Sequence, residues 1–158
     1  MAREATARLY DVDEDSVVFK KLNQTEKYDQ GVVTFRARKG KLIDLDKLHE
    51  SIWASRLAHG TRSGLVSLDV VVIGEAIQTR DGMWLKVSGS DAEFVLVKGP
   101  SSEQAKAFAQ LAEAAGDERQ LMKLTGRVDN YKGRWPSLFR TPVVKPRRLL
   151  VTSFEKVE

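Results

Sequence analysis

A chain of 158 residues with 42% apolar and 8% aromatic content has material for one ordinary domain or two small ones, and that balance argues against intrinsic disorder. It contains no cysteine, which excludes disulfides, thiolate metal sites, iron–sulfur clusters and cysteine nucleophiles together. The formal charge of +4 is unevenly spread: Arg127 to Arg148 holds seven basic residues against one acid, a local +6, and the remaining 19 basic and 21 acidic residues give −2.

No apolar run approaches the roughly 20 residues of a membrane span, and MAREATARLYDVDED lacks the apolar core of a signal peptide. A cytoplasmic protein is expected, with a trimmed periplasmic domain as the alternative. Residues 1–15, with acids at Asp11, Asp13, Glu14 and Asp15, are expected to form a flexible acidic arm.

Strand signals follow at Ser16–Phe19 and in GVVTFRARKGKLI (31–43), where Val33, Phe35 and Ala37 alternate with Thr34, Arg36 and Arg38. Lys39-Gly40-Lys41 reads as a hairpin turn. The next segment predicts a helix: Asp44 is placed as its N-cap, Leu45, Leu48, Ile52 and Leu57 are near helical spacing, and Gly60 stands as its stop. This helix is expected to pack on the hairpin before it. The turn residues of AHGTRSG (58–64) mark a boundary between a unit at 16–63 and another at 64–158.

From Val66 the period changes to two, in VSLDVVVIGEAIQTRDGMWLKVSG and AEFVLVKG, with Arg80-Asp81-Gly82 as the first turn; this predicts a three-stranded meander. Pro100 ends it. SSEQAKAFAQLAEAAG follows as a helix, with Ser101 and Gln104 in capping-box spacing, Phe108 and Leu111 as core anchors and Gly116 as the stop. LMKLTGRVDNYKG (121–133) and RRLLVTSFEKV (147–157) are the last two strands.

The order strand, strand, strand, helix, strand, strand over 66–157, and the segment GEAIQTRDGMWLKVSGSDAEFVLVKG in particular, resembles an OB-fold, a five-stranded barrel with a helix between its third and fourth strands. GVVTFRARKGKLIDLDKLHESIWASRLA resembles the second half of a heavy-metal-associated domain, a ferredoxin-like strand–strand–helix unit. That family's Cys-x-x-Cys loop is missing, so the resemblance implies a shape without the ligands. The expected class is α+β: a small ferredoxin-like unit followed by an OB-like barrel.

Little here points to catalysis. Asp46, His49 and Glu50 share a helix region, but His59 is the only other histidine, so a solvated helix face is the preferred reading over a metal site. No Gly-x-Ser-x-Gly elbow accompanies the histidines, and Gly60–Gly64 lacks the lysine and spacing of a phosphate loop. No cofactor and no metal are expected, and the chain reads as a non-catalytic module.

The strongest lead is DNYKGRWPSLFRTPVVKPRR (129–148), with six basic residues, three aromatic rings and three prolines. On an OB-like barrel it joins the fourth strand to the fifth, beside the usual ligand face. Tyr131, Lys132, Arg134, Trp135, Phe139, Arg140, Arg147 and Arg148 are candidate binding residues, with Arg127 before them and Trp84 and Lys86 on the second barrel strand. Met83, Leu85 and Val87 point the other way. Rings flanked by cations suit single-stranded nucleic acid, and Trp, Tyr and Arg also dominate protein interfaces. The structural reading, in which Trp135, Leu138 and Phe139 fold back to plug one end of the barrel, stands ahead of either functional one for this segment. A protein partner is preferred to nucleic acid, and a metal-handling domain stripped of its cysteines comes third.

Overall fold

The structure is a computed structural model that describes residues 2–24, 29–55, 67–116, 119–128 and 146–158. It is a mixed α+β protein, and the chain divides into two units, Met1–Leu65 and Val66–Glu158.

The N-terminal unit begins with helix α1 (Ala2–Ala7) and a 3-10 turn at Glu14–Ser16. Strands β1 (Val18–Gln24) and β2 (Asp29–Thr34) form a two-stranded antiparallel sheet, and helix α2 spans Leu45–Ala54. The acidic stretch is not a loose arm. Ala5 and Thr6 are buried, and Val12 is fully buried and bridges Ala37. Asp13 N–H donates to Arg36 O (2.9 Å) and Arg38 N–H to Asp11 O (2.8 Å), so residues 11–13 extend the hairpin. The acids flank a single apolar anchor, Val12, and a six-residue helix is too short to display a period.

The turn at Lys39-Gly40 is present, but it is not the hairpin connection. The β1–β2 register runs from Val18↔Thr34 to Gln24↔Asp29, so the strands are joined across 25–28, and the 39–40 turn leads into α2. Asp44 caps α2 as its pattern requires, Oδ1 accepting from the Asp46 and Lys47 amides (3.0 and 3.2 Å). The helix ends earlier than expected, at Ala54; Leu57, His59 and Gly60 lie outside the described residues. Its chief packing partner is α1 rather than the hairpin: Leu48 and Ile52 are buried, and Ser51 Oγ donates to Ala5 O at 2.8 Å.

The C-terminal unit contains β3 (Asp69–Thr79), β4 (Gly82–Val87), β5 (Glu93–Lys98), helix α3 (Ser102–Ala114), β6 (Leu121–Val128) and β7 (Arg147–Lys156). The five strands pair in the order β3-β4-β5-β7-β6, and β6 pairs back onto β3, closing the sheet. All pairs are antiparallel except β5–β7. Closure depends on β3 being long: its first part pairs with β6, its second with β4, and Gly74 and Glu75 pair with both. At Gly74 the backbones come so close that a Cβ would collide with the Lys86 carbonyl, so this close approach needs glycine.

Alternation then fills the interior. Met83, Leu85, Leu96, Met122, Leu124, Leu149 and Val151 are buried, each separated along its strand from the next by an outward residue. The two-residue turn Arg80-Asp81 joins β3 to β4, with Gly82 at φ 133°, a conformation side chains resist. Helix α3 carries the capping box that its sequence predicts: Gln104 N–H donates to Ser101 Oγ (3.1 Å) and Ser101 N–H to Gln104 Oε1 (3.2 Å). It packs against β7 and β5, burying Leu111 and Ala115, while Phe108 is only half-buried. Among the described residues no helix is long and apolar enough to cross a membrane.

Candidate functional site

The alternation that fills the barrel also decides which predicted residues share a surface. On β4, Met83, Leu85 and Val87 point inward, leaving Trp84 half-buried and Lys86 exposed on the outer face. Registers extend this into a row across four strands: Ile77 pairs with Trp84, Trp84 with Val95, and Val95 with Arg148. Adjacent strands lie about 4.8 Å apart, so the row spans about 14 Å. Beside it Lys86 stands between Glu75 on β3 and Glu93 on β5.

Arg127 reaches the same surface by another route. It pairs with Leu150, two positions along β7 from Arg148. Its guanidinium forms a two-pronged ion pair with Asp69, Nε to Oδ1 at 2.7 Å and Nη2 to Oδ2 at 3.1 Å, and the carboxylate raises the Arg127 pKa above its ordinary value. Lys123, opposite Ile73, pairs with Glu155 (3.6 Å). Lys86, Lys123 and Arg127 thus each sit beside carboxylates, so these three outward cations are in part neutralised.

Trp84, Lys86, Arg127 and Arg148 therefore all lie on the outer side of the closed sheet, spread over β4, β6 and β7, and Arg147 does not. It is half-buried opposite Phe94, at a position whose successors Leu149 and Val151 face the interior. Tyr131, Lys132, Arg134, Trp135, Phe139 and Arg140 lie outside the described residues.

Sequence reasoning missed the outer face of β3, where Val71, Ile73 and Ile77 are exposed. The signal was present in DVVVIGEAIQT: Val70 to Ile73 is apolar at four consecutive positions, so both faces of the strand are greasy over that part. Ile77 thus continues the apolar row of Trp84 and Val95, while Val71 and Ile73 lie farther along β3 on the other side of the charged row Glu75–Lys86–Glu93, toward the Arg127–Asp69 pair.

In the N-terminal unit, Asp46 and His49 are half-buried and only Glu50 is exposed, so the preferred reading of this helix region as a solvated face is corrected. Among the described residues no three His, Asp or Glu side chains converge in a metal-binding arrangement. Comparison with family models, with characterised proteins and with solved structures finds no match to this chain.

Proposed function

We propose that this chain is a non-catalytic binding module that docks a protein through the outer face of its C-terminal barrel, and that the aromatic–basic segment 129–148 joining β6 to β7 belongs to the same interface. The reading of this unit as an OB-like barrel rests on its cyclic strand order, the parallel β5–β7 pair and the position of α3 between β5 and β6. The reading of the N-terminal unit as a ferredoxin-like remnant rests on the strand–strand–helix order β1–β2–α2 alone.

One observation carries the choice of a protein partner: three aliphatic side chains, Val71, Ile73 and Ile77, are exposed on the outer face of β3, with Ile77 beside Trp84. Aliphatic side chains offer no π face for a base, whereas exposed apolar side chains interleaved with paired charges are what protein interfaces desolvate. A single-strand groove also needs cations left over for phosphates, and Lys86, Lys123 and Arg127 each adjoin an acid.

The test is a photo-crosslinking amino acid placed at Ile77 in the full chain inside the producing cell. A discrete protein adduct that disappears in an Ile73→Glu variant is expected. An adduct to nucleic acid, together with oligonucleotide binding that weakens with salt on a log–log slope of about −0.7 per phosphate neutralised, would replace this reading with single-strand binding.

A further inference from the structure

The N-terminal sheet is two strands wide among the described residues, and a lone two-stranded hairpin is marginal in water; a third or fourth strand supplies the missing pairing. This hairpin also exposes apolar side chains on both faces. Val18 (60% exposed) and Val32 (45%) occupy one face, Phe19 (46%) the other, and Leu22 (54%) sits where the β1 register shifts.

Its two edges differ. β1 carries Lys20 and Lys21 at its middle and a bulge between Lys21 and Asn23, two devices that blunt an edge against further pairing. β2 reads DQGVVT, with no lysine, arginine or proline and an unshifted register from Gly31 to Thr34. Its edge has no such guard.

We propose that the β2 edge is a self-association surface, and that two copies of this chain pair β2 with β2 antiparallel to make a continuous four-stranded sheet. A two-fold axis perpendicular to such a sheet requires opposed residues to share a face. Centring the axis on Val32 sets Val32 against Val32 of the second copy, Gly31 against Val33 and Gln30 against Thr34, so no charged side chains are opposed and two β-branched residues meet. The corresponding central registers of β1 would set Lys20 against Lys20 or Lys21 against Lys21, which is repulsive. Self-complementarity thus selects a second copy as the occupant.

The chain's lack of cysteine makes the geometry directly testable. Opposed Val32 Cα atoms lie about 4.5–5.5 Å apart in such a pair, within disulfide reach, whereas the two Lys20 positions are separated by three strand gaps, about 14 Å. Full-length wild type should show the mass of two chains in light scattering. Val32→Cys should form a disulfide-linked dimer under mild oxidation, and Lys20→Cys should not. Val32→Lys, at an exposed site, should keep the wild-type circular dichroism and raise the dimer dissociation constant at least about tenfold through opposed charges. Hydrogen exchange on the unmodified protein gives an independent reading, with residues 29–34 losing protection on dilution. A wild-type monomer at all attainable concentrations overturns the proposal, and so does a dimer that crosslinks no faster through Val32→Cys than through Lys20→Cys.

Discussion

Gly74→Ala tests how the barrel closes. The added Cβ would fall well inside contact distance of the Lys86 carbonyl oxygen and 3.1 Å from Leu85 Cδ1. The leucine tip can rotate away, but the carbonyl belongs to β4, whose backbone is held by β3 on one side and β5 on the other. Relief therefore requires the strands to separate. Overpacking of this kind costs about 1–3 kcal/mol, and the loss of glycine's freedom in the unfolded chain offsets about 0.4–1 kcal/mol, leaving a net destabilisation of up to about 2.6 kcal/mol. In a unit of this size that lowers the midpoint by about 4–8 °C per kcal/mol. Gly116→Ala is the comparator: nothing lies within 4 Å of the place its methyl group would take, so it should be neutral or slightly stabilising. Thermal unfolding of the full chain, read by far-ultraviolet circular dichroism and by hydrogen exchange of the β3 and β4 amides, isolates the barrel from the N-terminal unit. Equal stability of the two variants within about 0.5 kcal/mol would refute the close approach at Gly74.

Leu124→Ala, at a fully buried position on β6, should cost about 2–5 kcal/mol in urea unfolding, the range for a truncated core leucine. Ser101→Ala removes the hydroxyl half of the α3 capping box and should cost about 1 kcal/mol, with the loss confined in hydrogen exchange to the first turn. A double-mutant cycle on Asp69 and Arg127, whose side chains are 59% and 53% exposed, should give a coupling of only about 0.2–1 kcal/mol that shrinks in concentrated salt. The arginine's raised pKa means that on the alkaline side this contribution persists until arginine itself deprotonates, so salt rather than base is the lever. Trp84→Ala, at a half-buried outer position, should leave the cooperative unfolding transition in place while abolishing the Ile77 crosslink; loss of the transition would place Trp84 in the core instead.

How much of this was legible beforehand follows from the range of the forces involved. Local signals carried the helix caps at Asp44 and Ser101, the Arg80-Asp81 turn and the inward set Met83, Leu85 and Val87, because caps, tight turns and period-two alternation involve residues within a few positions of one another. The same alternation put Trp84 and Lys86 on one outer face. Long-range pairing decided what no window of sequence contains. Val12 is fully buried, and its backbone is bridged to Ala37, 25 positions later. The hairpin crosses 25–28 and not the Lys-Gly-Lys step because the register of β1 on β2 sets its end. Arg148 joins Trp84, and Arg147 turns away, because β7 adds parallel to β5 with Val95 opposite Arg148 and Phe94 opposite Arg147. A strand's own sequence states which residues share a face; which face meets the core, and which residues of other strands stand beside it, is fixed only when the backbone hydrogen bonds of the closed sheet choose a register.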